Sequence, residues 1–148
     1  RVLFRSNGGY AVQPTFIKPT EKELAKIKRL DISTKNIEIV KRGMFEVVNG
    51  AGGTAGRARF NINGVMMGGK TGTTQVRRIS MKERSSGILR DEQLPWRLRN
   101  HALFIGFTPV DNPRYAVAVV VEHGSSGSGV AAPIASKILQ KALQLDIK

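Results

Sequence analysis

The chain has 148 residues, with 24 Lys plus Arg against 11 Asp plus Glu, a formal charge of +13, 41% hydrophobic residues and no cysteine. That length holds one domain or part of one, and the apolar fraction excludes a disordered or collagen-like chain. No window approaches the roughly 20 apolar residues that span a bilayer, and zero Cys excludes a disulfide scaffold, a Cys-ligated zinc site and a thiol nucleophile while leaving the compartment open.

The opening run Arg1-Val2-Leu3-Phe4-Arg5-Ser6 has neither a starting Met nor the charged-then-apolar pattern of a signal peptide. It reads as the translation of a sequencing-adapter oligonucleotide, so residues 1–6 are expected to be foreign and the authentic chain to begin near Asn7, truncated upstream. Residues 7–19, with Gly8-Gly9 and the punctuating Pro14 and Pro19, predict a turn and a short extended segment. Residues 20–30 are Lys-rich and read as a solvated loop or short helix.

Ser33 or Thr34 can cap a helix in which Ile37, Val40, Met44 and Val47 recur at three- and four-residue spacing, ending at Asn49-Gly50. A small-residue loop, 51–56, follows, with a short helical turn from Thr54 towards Phe60. Lys70-Thr71-Gly72-Thr73-Thr74-Gln75-Val76 favours a strand, because β-branched side chains suit a pleated surface. Residues 77–100 carry seven basic residues and little apolar periodicity, which predicts a long exposed loop. Residues 102–108 and 115–121 are apolar runs about a Pro-rich turn and predict an antiparallel hairpin of buried strands. After the break at 125–129, Pro133 fits a first helical turn, and Ile134, Ile138, Leu139, Ala142 and Leu145 are expected to line one side of a closing helix. Helix, strand, hairpin and helix in this order argue for an α+β domain whose antiparallel sheet is flanked by helices.

Gly69-Lys70-Thr71-Gly72-Thr73 on a strand offers a fixed cation, two hydroxyls and a residue without a side chain beside which a ligand backbone can lie, a set suited to a carboxylate-ended peptide. Lys70-Thr71-Gly72 matches the Lys-Thr-Gly motif of the penicillin-binding proteins, and the chain resembles that family well beyond the tripeptide. Asn7-Gly8-Gly9, Gly43-Met44 with Val47-Val48, Gly53-Thr54-Ala55, Gly69 to Gln75 and His101 through Gly106-Phe107-Thr108-Pro109 resemble that family, while Asp111-Asn112-Pro113, the run 116–121, Glu122-His123-Gly124 and Ala131-Ala132-Pro133 most resemble its elongation-type class B members. Three positions depart from the pattern and bear on fine specificity: Thr74, where a small residue is common, and Asn100 and Leu103, where the family often has an acid and an aromatic.

The resemblance implies the penicillin-binding-protein/serine β-lactamase-like transpeptidase fold, with residues 7–148 as the C-terminal part of the domain. It implies a D,D-transpeptidase whose serine attacks the penultimate D-Ala carbonyl of a peptidoglycan stem peptide and passes the acyl group to an amine, and which β-lactam antibiotics trap. By position, Lys70 and Thr73 would be catalytic, Lys70 through its positive field and Thr73 through a backbone oxyanion donor, while Thr71, Gly72 and Thr73 would bind substrate. No serine in the chain has Lys three residues on or Asn two residues on, so both upstream motifs of the family are missing and these residues alone are expected to be inactive. The resemblance further implies no cofactor, a bacterial inner-membrane protein with an upstream anchor and a periplasmic catalytic domain, and an elongation-machinery glycosyltransferase as partner.

Gly64, four residues, then Gly69-Lys70-Thr71 also satisfies a P-loop pattern. That motif needs a buried strand before Gly64 and a helix opening at Lys70, and neither is legible here. The basic 77–100 stretch with its one tryptophan, Trp96, raises a nucleic-acid-binding alternative, for which a lone aromatic is weak support. His101 and His123 suggest structural roles rather than a Ser-His-Asp triad, which is recognised by geometry and not adjacency. With two His far apart in sequence and no Cys, no metal site is expected.

Overall fold

A computed structural model describes residues 5–146, so Arg1 to Phe4 of the opening run expected to be foreign, and Ile147 and Lys148, lie outside the described residues. Chain order is helix α1 (Glu21–Leu24), helix α2 (Thr34–Asn49), strand β1 (Gly68–Thr74), helix α3 (Met81–Ser86), strands β2 (His101–Thr108) and β3 (Tyr115–Val121), and helix α4 (Ala132–Asp146). The three strands form one antiparallel sheet in the order β1-β2-β3, the α+β arrangement expected. None of the described helices is long and apolar enough to cross a membrane.

The register sets two faces, because successive side chains on a strand point to opposite sides. Gly69, Thr71 and Thr73 lie across from Gly106, Phe104 and Ala102, which in turn face Val117, Val119 and Val121. On this face packs the main core, with Met67, Ala131, Ala132, Ala135, Leu139 and Leu143. The opposite face carries Gly68, Lys70 and Gly72, and there Met44 of α2 meets Phe107, with Ile105 and Val110 against them.

Gly69 is paired directly with Gly106, and the Phe104 ring lies over both: a Cβ added at Gly69 would overlap the ring well inside van der Waals contact, and one at Gly106 would stand 2.8 Å from it. A Cβ on Gly68 would meet both the Phe107 ring at 3.1 Å and the backbone nitrogen of Phe45 at 3.4 Å. The Gly68-Gly69 pair is therefore a matter of space. It lets an aromatic lie on one side of β1 and helix α2 approach the other.

Helix α2 begins as expected, with the Ser33 hydroxyl accepting from Asn36 N at 3.2 Å. Its buried face is Ile37, Met44 and Val48; Val40, assigned to that face from spacing, is 41% exposed. At the other end the Asn49 amide donates to Met67 O at 2.8 Å and Phe45 O at 3.0 Å, fastening the helix terminus to the entrance of β1. Between them Asn63 and Gly64, both at positive φ, turn a tight hairpin bridged by Ile62 and Val65, the pairing that Asn-Gly favours.

Three expectations need correction. Strand β1 spans Gly68–Thr74 rather than 70–76, because its register with β2 runs from Gly68 opposite Phe107 to Thr74 opposite His101. The buried hairpin is half right: β2 is largely buried, whereas β3 alternates, with Ala116, Ala118 and Val120 exposed. In α4 the buried residues are Ala132, Ala135, Ser136, Leu139 and Leu143, while Ile134, Ile138 and Leu145 are exposed. Small residues let the helix lie close to the sheet, so the seam follows the alanines and not the bulkiest stripe.

The 77–100 stretch is exposed but structured. Ser80 and Glu83 form a reciprocal capping box at the start of α3, and bonds from the Ser80 backbone, Arg77 and the Ser80 hydroxyl hold the Glu83 carboxyl below its ordinary pKa. That stabilisation is present above the ordinary carboxyl pKa and fades as pH falls through the lowered one.

Replacing Gly69 by Ala should lower the unfolding free energy by about 1–3 kcal/mol, because the methyl must displace a packed ring. Gly52→Ala, whose Cβ enters open space, should change it by under about 0.5 kcal/mol. Denaturant unfolding of both variants checks the contrast, and equal effects would contradict it.

Candidate active-site strand

Strand β1 lies at one edge of the described sheet, paired with β2 alone, so alternate peptide groups on it face away from the ladder. Along that edge stand the sequence-predicted site residues. Thr71 and Thr73 share the face of the main core, with Thr71 half-buried and Thr73 exposed. Lys70 and Gly72 belong to the opposite face, and Lys70, itself exposed, donates from Nζ to Thr71 O at 2.8 Å. The strand thus gathers all four residues, an ammonium on one side and two hydroxyls on the other.

The Lys70 position also settles the P-loop reading. Lys70 is the third residue of a seven-residue strand and no helix opens at it, so successive amides around it point to alternate sides of the strand and do not converge on one anion as those of a helix N-terminus do.

Gly72 has an internal role beside the expected one. A Cβ there would stand 3.3 Å from Leu103 Cβ. The backbone of Gly127 lies against Gly72 and Leu103 so closely that a side chain at 127 would collide with both carbonyl oxygens. Gly127–Ala131 is a π-helical turn leading into α4, and its cap is Ser126, whose hydroxyl accepts from Gly129 N at 3.0 Å and contacts the Ser128 hydroxyl at 3.1 Å. Sequence reasoning treats 125–129 as a break; the hidden signal is a Ser three residues ahead of a Gly, a capping pattern.

A second residue missed by sequence reasoning is Thr54, whose Oγ1 lies 3.3 Å from Thr71 Oγ1. A lone Thr in a small-residue loop carries no periodicity, so only the fold brings it to β1.

Beyond Thr73, a cavity of about 210 Å³ opens at the end of the strand between Thr73, Gln75, Arg77, Ile88, Leu89 and Asn100. Asp91 also lines it, accepting from the Asn100 backbone N–H at 3.1 Å and from the Asn100 side-chain amide at 3.0 Å. A carboxylate therefore stands against the position where the resemblance would place an acid.

The histidines have the structural setting expected. His101 Nδ1 accepts the backbone N–H of His123 at 2.9 Å, His123 Nδ1 lies 3.0 Å from Arg99 O, and the rings are 4.7 Å apart. Trp96 packs its ring edge-on to His123 at 4.5 Å. Among the described residues no hydrogen bond joins either imidazole to a serine hydroxyl or a carboxylate. The pair secures a turn in which His123 and Ser125 adopt positive φ.

Comparison with known proteins places the chain in a family. The model of the penicillin binding protein transpeptidase domain matches residues 6–140. Peptidoglycan D,D-transpeptidase MrdA of Haemophilus influenzae is 38% identical over 114 residues, 74% of this chain and 16% of that protein. The structure of Pseudomonas aeruginosa PBP2 in complex with WCK 5153 superposes with a TM-score of 0.64 at 33% identity, covering 95% of this chain and 28% of that one. The complex of Helicobacter pylori PBP2 with MreC gives 0.59 at 26%, covering 78% and 18%. The chain thus spans about a sixth of the length of the curated relative it matches.

His101→Ala should leave the His123 amide without its acceptor, at a cost of about 1–3 kcal/mol to the local turn. Hydrogen exchange at that amide should quicken. An unchanged rate would mean that the imidazole does not hold the turn.

Proposed function

Since the chain belongs to the penicillin-binding protein transpeptidase family, and within it is similar to the PBP2 type, we propose that residues 7–148 are the C-terminal part of a serine D,D-transpeptidase that crosslinks peptidoglycan. The observation that carries the proposal is the edge strand β1, on which Lys70, Thr71, Gly72 and Thr73 stand together.

In this reading the nucleophile is a serine of the Ser-x-x-Lys motif, upstream of Asn7. Its oxygen attacks the carbonyl of the penultimate D-Ala, the bond to the terminal D-Ala nitrogen breaks, and that nitrogen takes a proton as D-Ala leaves. The amine of a neighbouring stem peptide then attacks the acyl-serine, forms the new amide and returns the proton to the serine oxygen.

Each β1 residue has a part. Lys70 supplies a fixed positive charge beside the developing oxyanion and a hydrogen bond to the serine of the second upstream motif. The Thr71 and Thr73 hydroxyls, on one face of the strand, hold the terminal carboxylate, and the Thr73 N–H joins the nucleophile's own N–H as an oxyanion donor. Gly72 lets the acyl chain lie against the strand, adding to the sheet edge as an extended peptide does. A β-lactam presents a carboxylate and a reactive carbonyl to the same groups, and its ring-opened acyl group stays on the serine. The complete protein is proposed to be anchored in the inner membrane with this domain in the periplasm, working with a glycosyltransferase in cell-wall elongation.

The test is acylation of the complete gene product by a fluorescent penicillin. Lys70→Ala should lower the second-order rate by about 100-fold or more, the usual effect of losing a preorganised electrostatic contact at an oxyanion. Thr73→Val should lower it by about 10- to 100-fold, the loss of a hydrogen bond to a charged group. The 148-residue chain alone should take up no label. Full labelling of that chain, or an unimpaired Lys70→Ala variant, would overturn the assignment.

A further inference from the structure

We propose that Thr54 is a positioning residue for the carboxylate-binding pair: its hydroxyl, 3.3 Å from that of Thr71, orients the Thr71 hydroxyl towards the carboxylate of the acyl donor. This inference rests on the proposed role of β1.

Proton counting gives the direction. A threonine hydroxyl has one proton to donate and two lone pairs to accept with, whereas an ionised carboxylate only accepts. If Thr71 serves the carboxylate, its one proton points at the ligand, and the contact with Thr54 must run from the Thr54 hydroxyl to the Thr71 oxygen. The result is a chain, Thr54 to Thr71 to carboxylate, in which each donor polarises the next.

Thr54 is held in a way that suits this part. Gly53 is pressed against the end of α2, where a Cβ would run into the carbonyl oxygens of Glu46 and Val47. On its other side the amide of fully buried Ala55 donates to Val47 O at 2.9 Å. The same helix end is fastened to the entrance of β1 through Asn49 and Met67 O. The backbones that carry Thr54 and Thr71 are thus parts of one rigid unit, and β-branching restricts χ1 of both side chains. A threonine kept for local structure would bond a neighbouring backbone group, as Thr20 and Ser80 do at their helix caps. Among the described residues the hydrogen bond of the Thr54 side chain runs instead to Thr71, seventeen residues away.

The test compares acylation of the complete protein by a penicillin and by its carboxyl methyl ester, for wild type, Thr71→Val, Thr54→Val and Thr54→Ser, with thermal unfolding of each. Thr54→Val should slow acylation by the free acid about 3- to 10-fold, the range of one ordinary hydrogen bond. It should leave the ester rate and the melting temperature unchanged. Thr54→Ser, which keeps the hydroxyl, should restore the acid rate, and Thr71→Val should show the same selective loss on a larger scale.

If Thr71→Val loses acid selectivity while Thr54→Val does not, or if Thr54→Val slows acid and ester equally, the positioning role is overturned and the reading of β1 stands. If Thr71→Val leaves the acid-to-ester ratio unchanged, the carboxylate assignment on β1 fails, and the role of Thr54 with it.

Discussion

The placement of β1 depends on one contact, the Phe104 ring lying over the Gly69–Gly106 pair. Phe104 is also the register partner of Thr71, so the residue that fills the glycine slot fixes the site hydroxyl opposite it. On the far side of β1, Gly68 admits the backbone of α2, and Asn49 ties the end of that helix to Met67. A strand clamped from both sides near its start can leave its later half, Lys70 to Thr74, at an open edge without losing its position. A preorganised site needs that property, since donors aimed at a developing charge are effective only if they need not move to meet it.

Much of this was legible in the sequence where local chemistry decides the outcome. Ser33 announces the start of α2, the hairpin of β2 and β3 follows from two apolar runs about a Pro-rich turn, and the Lys-Thr-Gly strand is marked by its own residues. What was not legible was decided by packing partners. Periodicity assigned Val40 and the Ile134, Ile138 and Leu145 stripe to the core, yet the buried seam of α4 runs through Ala132, Ala135 and Leu139, because close approach of a helix to the sheet favours small side chains over large ones. The order within 77–100 rests on contacts between residues far apart, Asp91 with Asn100 and Trp96 with His123. Thr54 is the plainest case. Nothing about a Thr in a Gly-rich loop indicates that its hydroxyl faces Thr71.

The P-loop alternative falls for a reason of geometry. A phosphate loop and an edge strand make opposite demands on the backbone at Lys70, and the chain meets those of the strand. The basic 77–100 stretch has part of its charge tied down internally, Arg77 to Glu83 and Arg99 to Leu94 O, and its tryptophan packs on a histidine. The two histidines are spent on holding the turn that brings Gly127 against Gly72. Membership of the transpeptidase family and the arrangement of Lys70, Thr71, Gly72 and Thr73 on the edge strand β1 are the two observations on which the proposed acyl-transfer function rests.

The most direct measurement is a crystal structure of the complete protein after exposure to a penicillin. The account predicts an ester to a serine upstream of Asn7, with the antibiotic extended along β1, its carboxylate within hydrogen-bond distance of Thr71 Oγ1 and Thr73 Oγ1 and its acyl oxygen on the Thr73 N–H. An adduct whose carboxylate lies away from both threonines, or no adduct on any serine, would contradict it.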